Sequence, residues 1–170
     1  FREAKGKGLT VSNPLDLMLK SAGGVAQIFM EDLRVPKENV LGGVAGRGLG
    51  AALGVISLCR MAQAARMMAA CELAWKLTLD FVRDREAFGQ RVLDFQNTQF
   101  KLAQMKAEIS AGRTYVDQML KKSRTGDIDP IDASIAKLWV SELEGRVMDE
   151  CLQLFGGAGF SNEYPISKMY

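Results

Sequence analysis

Arg85, Phe88 and Gly89 fall within the run Arg83-Asp84-Arg85-Glu86-Ala87-Phe88-Gly89-Gln90, which closes a long helical pattern. A guanidinium fork matches pyrophosphate oxygens and a phenyl ring offers a flat face, so such a helix end can hold an anion joined to a ring system. A charged, capped helix terminus accounts for the same residues, and on residue types alone it is the plainer reading. Arg60 is a second candidate, because it interrupts an otherwise apolar helical stretch. An unpaired charge is costly to bury, so Arg60 must either find a carboxylate or line a cavity. The string Gly46-Arg47-Gly48-Leu49-Gly50 has GxGxG spacing and runs into a long helix with no βαβ unit, so it reads as a lead-in rather than a dinucleotide fingerprint.

Composition removes several chemistries. The 170 residues contain no histidine, which excludes a Ser-His-Asp triad, a Cys-His pair or a histidine-ligated metal within the chain. Cys59, Cys71 and Cys151 are too scattered for zinc spacing or a disulfide framework, so no metal site is expected and a reducing compartment fits best. With 22 Lys and Arg against 20 Asp and Glu in mixed order, there is no basic stripe to follow phosphates, and nucleic acid is not an expected partner. Arg60, Gln63 and Arg66 break the richest apolar stretch, so no membrane span is expected. Phe1-Arg2-Glu3-Ala4-Lys5 carries no signal-peptide apolar region, and with neither an initial Met nor a tail after Tyr170 the chain is expected to be a fragment.

The elements that must position these groups divide near residue 45. Residues 1–45 are punctuated by Gly6, Gly8, Pro14, Gly23, Gly24, Pro36, Gly42 and Gly43, with short β-type runs at Leu9-Thr10-Val11 and Ala26-Gln27-Ile28-Phe29-Met30. They read as the last strands of a β-domain whose remaining sheet lies upstream. Residues 46–170 are helical in period. Leu49 to Phe81 is apolar almost all round, with Leu58, Met61, Ala65, Met68, Trp75 and Leu79 on one face, and such a helix belongs inside something. Leu102, Met105, Ile109, Gly112, Val116 and Met119 form one narrow stripe on a second helix. A third starts after Asp129-Pro130, a cap and first-turn proline, carries Trp139, Leu143, Val147, Cys151 and Leu154, and stops at Gly156-Gly157. The expected fold is therefore mainly α, an up-down four-helix-bundle type domain lacking its fourth helix, preceded by the end of a β-domain.

Three separated motifs resemble the acyl-CoA dehydrogenases: Val35-Pro36-Lys37-Glu38-Asn39-Val40-Leu41-Gly42, then Arg85 to Gln90 with Asp94-Phe95-Gln96, then Gln153-Leu154-Phe155-Gly156-Gly157-Ala158-Gly159-Phe160 with Glu163-Tyr164-Pro165. They occur in family order and cover the chain from about residue 9. The resemblance implies that Arg85, Phe88 and Gln96 reach across a dimer interface to the FAD of the neighbouring subunit. It implies that Gln153, Gly156 and Gly157 approach the pyrophosphate and adenosine end of that flavin. It also places Arg60 beside the acyl-CoA cavity, while Ser57 stands where many members carry an acidic residue.

The reaction so implied is α,β-dehydrogenation of an acyl-CoA thioester, with electrons passed to an electron-transfer flavoprotein by a homodimeric or homotetrameric enzyme. A glutamate would remove the α-proton. In most members it lies beyond the equivalent of Tyr170, and in a minority at the position of Cys59, where a thiol in apolar surroundings stays protonated and replaces it poorly. Glu72 and Glu108 read better as solvated or paired helix faces than as bases. A bacterial cytoplasm or a mitochondrial matrix is the expected location. The 170 residues alone are expected to be inactive and to associate. The rival readings are a helical association module without catalysis, and a flavin oxidase or monooxygenase on the same scaffold.

Overall fold

The computed structural model describes residues 6–17 and 24–170; Phe1 to Lys5 and Gly23, which figure in the sequence reading, lie outside them. The chain separates into two compact units, Phe1–Ala51 and Ala52–Tyr170. In the first, β1 (Leu9–Val11) and β2 (Ile28–Met30) pair antiparallel, with Leu9 opposite Met30 and Val11 opposite Ile28. The ladder continues past the strands through Ser12 N to the Gln27 carbonyl at 2.9 Å and Leu15 N to the Val25 carbonyl at 2.7 Å. Leu9 is buried, whereas Ile28, Phe29 and Met30 are each more than half exposed. Because side chains alternate along a strand, β2 leaves apolar residues uncovered on both of its faces.

The second unit is built on three long helices. α1 runs Gly48–Asp84, α2 Gln96–Thr125 and α3 Pro130–Phe155, followed by one further turn, α4 (Ile166–Met169). The stripe read on α2 is its buried face: Leu102, Met105, Ile109, Gly112, Val116 and Met119 are all buried, joined by Thr98. On α3, Leu143, Val147 and Cys151 are buried as expected, and Trp139 and Leu154 pack at the margin of the core. Each fully buried Leu, Ile, Val or Met contributes about 1.5–3 kcal/mol over its exposed state.

The face of α1 differs from the expected one. The buried residues are Ser57, Met61, Ala64, Met68, Cys71, Ala74, Thr78 and Val82, while Leu58 is half exposed and Ala65, Trp75 and Leu79 sit at the margin. Small side chains mark this face because the helices approach closely along it. At Gly112 an added Cβ would stand 2.7 Å from the Trp139 ring and 2.9 Å from the Met68 sulfur, so all three helices meet there. Trp75 Nε1 donates to the Leu102 carbonyl at 2.9 Å, and Lys106 Nζ lies 4.9 Å over the Trp75 ring.

Nor is α1 enclosed on all sides. Leu49, Leu53, Val55, Ile56 and Leu58 are exposed, and an 18-residue window of α1 with mean hydropathy 1.3 is only 17% buried. Against the sequence expectation, then, α1 is long and apolar enough to cross a membrane by length and composition, since the charges at Arg60 and Arg66 do not outweigh the Ala, Met and Leu around them. From Met61 to Val82, however, the same helix turns a buried residue to the bundle every three or four positions, as a bundle member does.

The helix ends follow the local signals. Asp129 Oδ1 accepts from Ile131 N at 2.7 Å and Pro130 opens α3. α3 stops at Gly156, whose φ of 57° lies in the left-handed region that other residues disfavour.

Candidate functional site

Beyond Asp84 the chain does not simply end a helix. It forms a two-stranded hairpin, β3 (Glu86–Ala87) and β4 (Gln90–Arg91), with Phe88 and Gly89 as the two-residue loop. Both loop residues have positive φ, 54° and 82°, as a tight primed turn requires. Glycine takes this at no steric cost, but phenylalanine does not, and its ring is 98% exposed. A strained backbone carrying an uncovered aromatic at its tip is an arrangement for presenting that ring. The ring meets Phe95 edge-on with centroids 6.4 Å apart. Arg85 N donates to the Phe81 carbonyl at 2.9 Å and Val92 N to the Arg85 carbonyl at 2.8 Å, which tie the hairpin base to α1. Arg91 grips Asp94 with two bonds of 2.9 and 3.0 Å, holding that carboxyl below the usual range and the guanidinium above its own. Gln96, exposed, is then the first residue of α2.

Phe155, one residue before Gly156, stacks on Phe81 with centroids 4.1 Å apart and planes 15° apart. Tyr164 stands edge-on to both, at 5.5 and 5.7 Å. This aromatic cluster pins the C-terminal ends of α1 and α3 together. Arg85 lines a cavity of about 470 Å³ beside it, together with Asp80, Phe81, Phe155, Ala158 and Tyr164. Among the described residues the Arg85 side chain has no hydrogen bond or ion pair. Gln153, Gly156 and Gly157 are exposed at the same end. Six predicted residues, Arg85, Phe88, Gln96, Gln153, Gly156 and Gly157, thus gather at one end of the bundle.

Arg60 is at the other. It lies 24 residues before Asp84, the last residue of α1, about 36 Å along the axis, and Arg85 follows directly on Asp84. It has no carboxylate partner among the described residues; instead Nη1 donates to Ser134 Oγ at 2.8 Å, near the start of α3. It lines a cavity of about 610 Å³ with Leu53, Ser57, Leu58, Ser123 and Ile128. Of the two outcomes left open for this charge, cavity and hydroxyl prevail over carboxylate.

The candidate bases separate as expected from their surroundings, with one correction. Glu72 receives two bonds from Arg113, at 2.8 and 2.7 Å, which lower its pKa, and Glu108 pairs with Arg146 at 3.2 Å. Cys59 is exposed rather than set in apolar surroundings, because it sits on the open side of α1. The buried thiols are Cys71, pushed by burial up to about 12, and Cys151, also raised by burial. Sequence reasoning did not find the hairpin, whose signal was a glycine after an aromatic between two short extended pairs. It also missed the Phe81, Phe155 and Tyr164 cluster and Ser134.

The family model described as "Acyl-CoA dehydrogenase, C-terminal domain" matches residues 46–170. The chain belongs to the acyl-CoA dehydrogenase family. It is 37% identical over 164 residues to the mitochondrial long-chain specific acyl-CoA dehydrogenase of Rattus norvegicus, covering 96% of this chain and 38% of that protein. Among solved structures it is similar to an acyl-CoA dehydrogenase from Geobacillus kaustophilus, with a TM-score of 0.88 and 36% identity over 96% of this chain and 43% of the other. The butyryl-CoA dehydrogenase of Megasphaera elsdenii gives a TM-score of 0.87 at 33% identity, over 95% and 42%. The chain spans about two fifths of the length of these acyl-CoA dehydrogenases.

Proposed function

We propose that these residues are the C-terminal part of a FAD-dependent acyl-CoA dehydrogenase, with residues 1–45 closing the middle β-domain and residues 46–170 forming most of the helical domain. The single observation that carries the reading is the separation of two binding clusters to opposite ends of one bundle. One flavin cannot meet both Arg60 and the residues just past the far end of α1 in the same protomer across about 36 Å of helix. Arg60 then serves the protomer's own acyl-CoA, while Arg85, Phe88, Gln96, Gln153, Gly156 and Gly157 serve the flavin of a second copy. A homodimer or homotetramer is therefore part of the proposal.

The donor set suits FAD. Arg85 brings a guanidinium with no partner among the described residues to an aromatic-walled cavity, Gln96 and Gln153 bring exposed amides, and Phe88 brings a bare ring. In this assignment Arg85 would hold the pyrophosphate by charge-assisted bonds, the glutamines would hold neighbouring polar edges, and Phe88 would pack on the nucleotide and exclude water. The bound flavin supplies the hydride acceptor of the reaction. Arg60 and the hydroxyls of Ser57 and Ser123 orient the thioester ligand along the apolar wall of Leu53, Leu58 and Ile128. The family resemblance puts the base that takes the α-proton on a glutamate outside these residues; Glu72 and Glu108 are held by arginines and Cys59 faces solvent, so none of the three competes for the role. Electrons leave to an electron-transfer flavoprotein. The rat relative is named as mitochondrial and Geobacillus is a bacterium, which supports a matrix or a bacterial cytoplasmic location according to source.

Arg85→Ala in the full-length protein tests the assignment. It should weaken FAD binding by about 1.5–3 kcal/mol, read as the free FAD concentration that half-reconstitutes apoprotein. Unchanged FAD affinity would remove Arg85 from the site, and a full-length protein that takes up no FAD at all would favour the association-module reading instead.

A further inference from the structure

Arg60 and Ser134 are 74 residues apart in sequence and are joined by a bond of 2.8 Å from Arg60 Nη1 to Ser134 Oγ. Ser134 Oγ in turn donates to the carbonyl of Pro130 at 2.6 Å, one helical turn back. A serine hydroxyl has one proton and two lone pairs, so once the proton is committed to Pro130 a lone pair is left for the guanidinium. The direction of the acceptor is thereby set by the α3 backbone and not by Arg60. That backbone is itself held, since Asp129 caps Ile131 N at 2.7 Å and Pro130 opens the helix. Carbonyl, hydroxyl and guanidinium form one chain of hydrogen bonds ending at the cavity that Arg60 lines, and the adjacent cap fixes the helical turn on which that chain starts.

We infer that Ser134 is a positioning residue for Arg60: its hydroxyl, anchored on the first turn of α3, holds the guanidinium at the cavity so that its other donors meet the polar end of an acyl-CoA ligand. The inference rests on the acyl-CoA reading above. A guanidinium has five N–H donors, and the one spent on Ser134 leaves four for a ligand. Leu53, Leu58 and Ile128 supply an apolar wall while Ser57 and Ser123 add hydroxyls, a lining suited to a ligand with an acyl chain and an acceptor-rich head. An arginine already held loses less side-chain freedom on binding than one that must be gathered from solvent.

The test is a double-mutant cycle in the full-length flavoprotein, with S-butyl-CoA and S-dodecyl-CoA as unreactive thioether probes titrated by calorimetry. Ser134→Ala should raise the Kd of the tighter probe about tenfold, and Ser134→Thr, which keeps the hydroxyl, should stay within about twofold of the parent. In an Arg60→Ala background, itself weakened about tenfold or more, Ser134→Ala should have no further effect. A merely structural serine would cost the same in both backgrounds, and that additivity would overturn the inference. A silent Ser134→Ala beside a weakened Arg60→Ala would overturn it while leaving Arg60 as a ligand contact. A silent Arg60→Ala would overturn the substrate reading of Arg60 and this inference with it.

Discussion

Arginine environments divide the work among the charged residues. Arg113 is spent on structure: it spans α1 and α2 to grip Glu72 with two bonds and reaches Asp117 at 3.6 Å. Because the pair is 30–41% exposed, solvent screening limits it to about 0.5–1 kcal/mol. Its hydrogen bonds to Arg113 depress the Glu72 pKa in the folded state, so this stability is present above the ordinary carboxylate range and is lost as pH falls through the lowered value. Arg113→Gln should accordingly lower Tm by a few degrees or less at pH 7, and the gap from the parent should shrink at pH 3. Thermal scans at the two pH values check this, and a gap of equal size at pH 3 would remove the ion pair as its cause. Among the described residues Arg85 and Arg60 have no such carboxylate, and both line cavities. The residue types were legible in the sequence; which arginine was neutralised was not, since Glu72 and Arg113 are 41 positions apart.

At the scale of elements, three helix periods were readable because each reports only which side of its own helix faces inward. The α2 stripe from Leu102 to Met119 came out whole. The α1 face did not, because it is lined by Ala64, Cys71, Ala74 and Thr78 rather than by large side chains, and hydrophobicity by itself points elsewhere. Close approach is the reason, and Gly112 is its narrowest point. Gly112→Ala should cost about 1–3 kcal/mol through overpacking against Trp139 and Met68. Urea unfolding of this variant checks the expectation; a midpoint equal to the parent's would mean that the ring and thioether yield without strain. The hairpin at Glu86 to Arg91 escaped the sequence reading because a charged helix end uses the same residues, and only the positive φ at Phe88 and Gly89 separates the two.

On the scale of the whole molecule, the exposed apolar residues Leu49, Leu53, Val55, Ile56 and Leu58 lie together on the first part of α1, and Ile28, Phe29 and Met30 lie on β2. Uncovered surface of this kind marks sites of association. The 170 residues alone should therefore self-associate in a concentration-dependent manner, read by light scattering coupled to size exclusion. A monodisperse monomer across a tenfold dilution series would show these faces to be tolerated in water. The family assignment and the fold agree at this scale, since the helical unit, Ala52–Tyr170, falls within the match over residues 46–170.

The residue types and their spacing by themselves determined the helical class, the capped start of α3 and the stop at Gly156, since a cap or a period depends on neighbours within a few positions. They also determined the motifs by which the family is recognised. Tertiary structure alone decided that Arg60 answers to Ser134, that Phe81, Phe155 and Tyr164 draw the segments around Arg85 and Gln153 to one end, and that Arg60 stands at the other. Contacts between residues tens of positions apart depend on how three helices pack, and no local pattern carries that information.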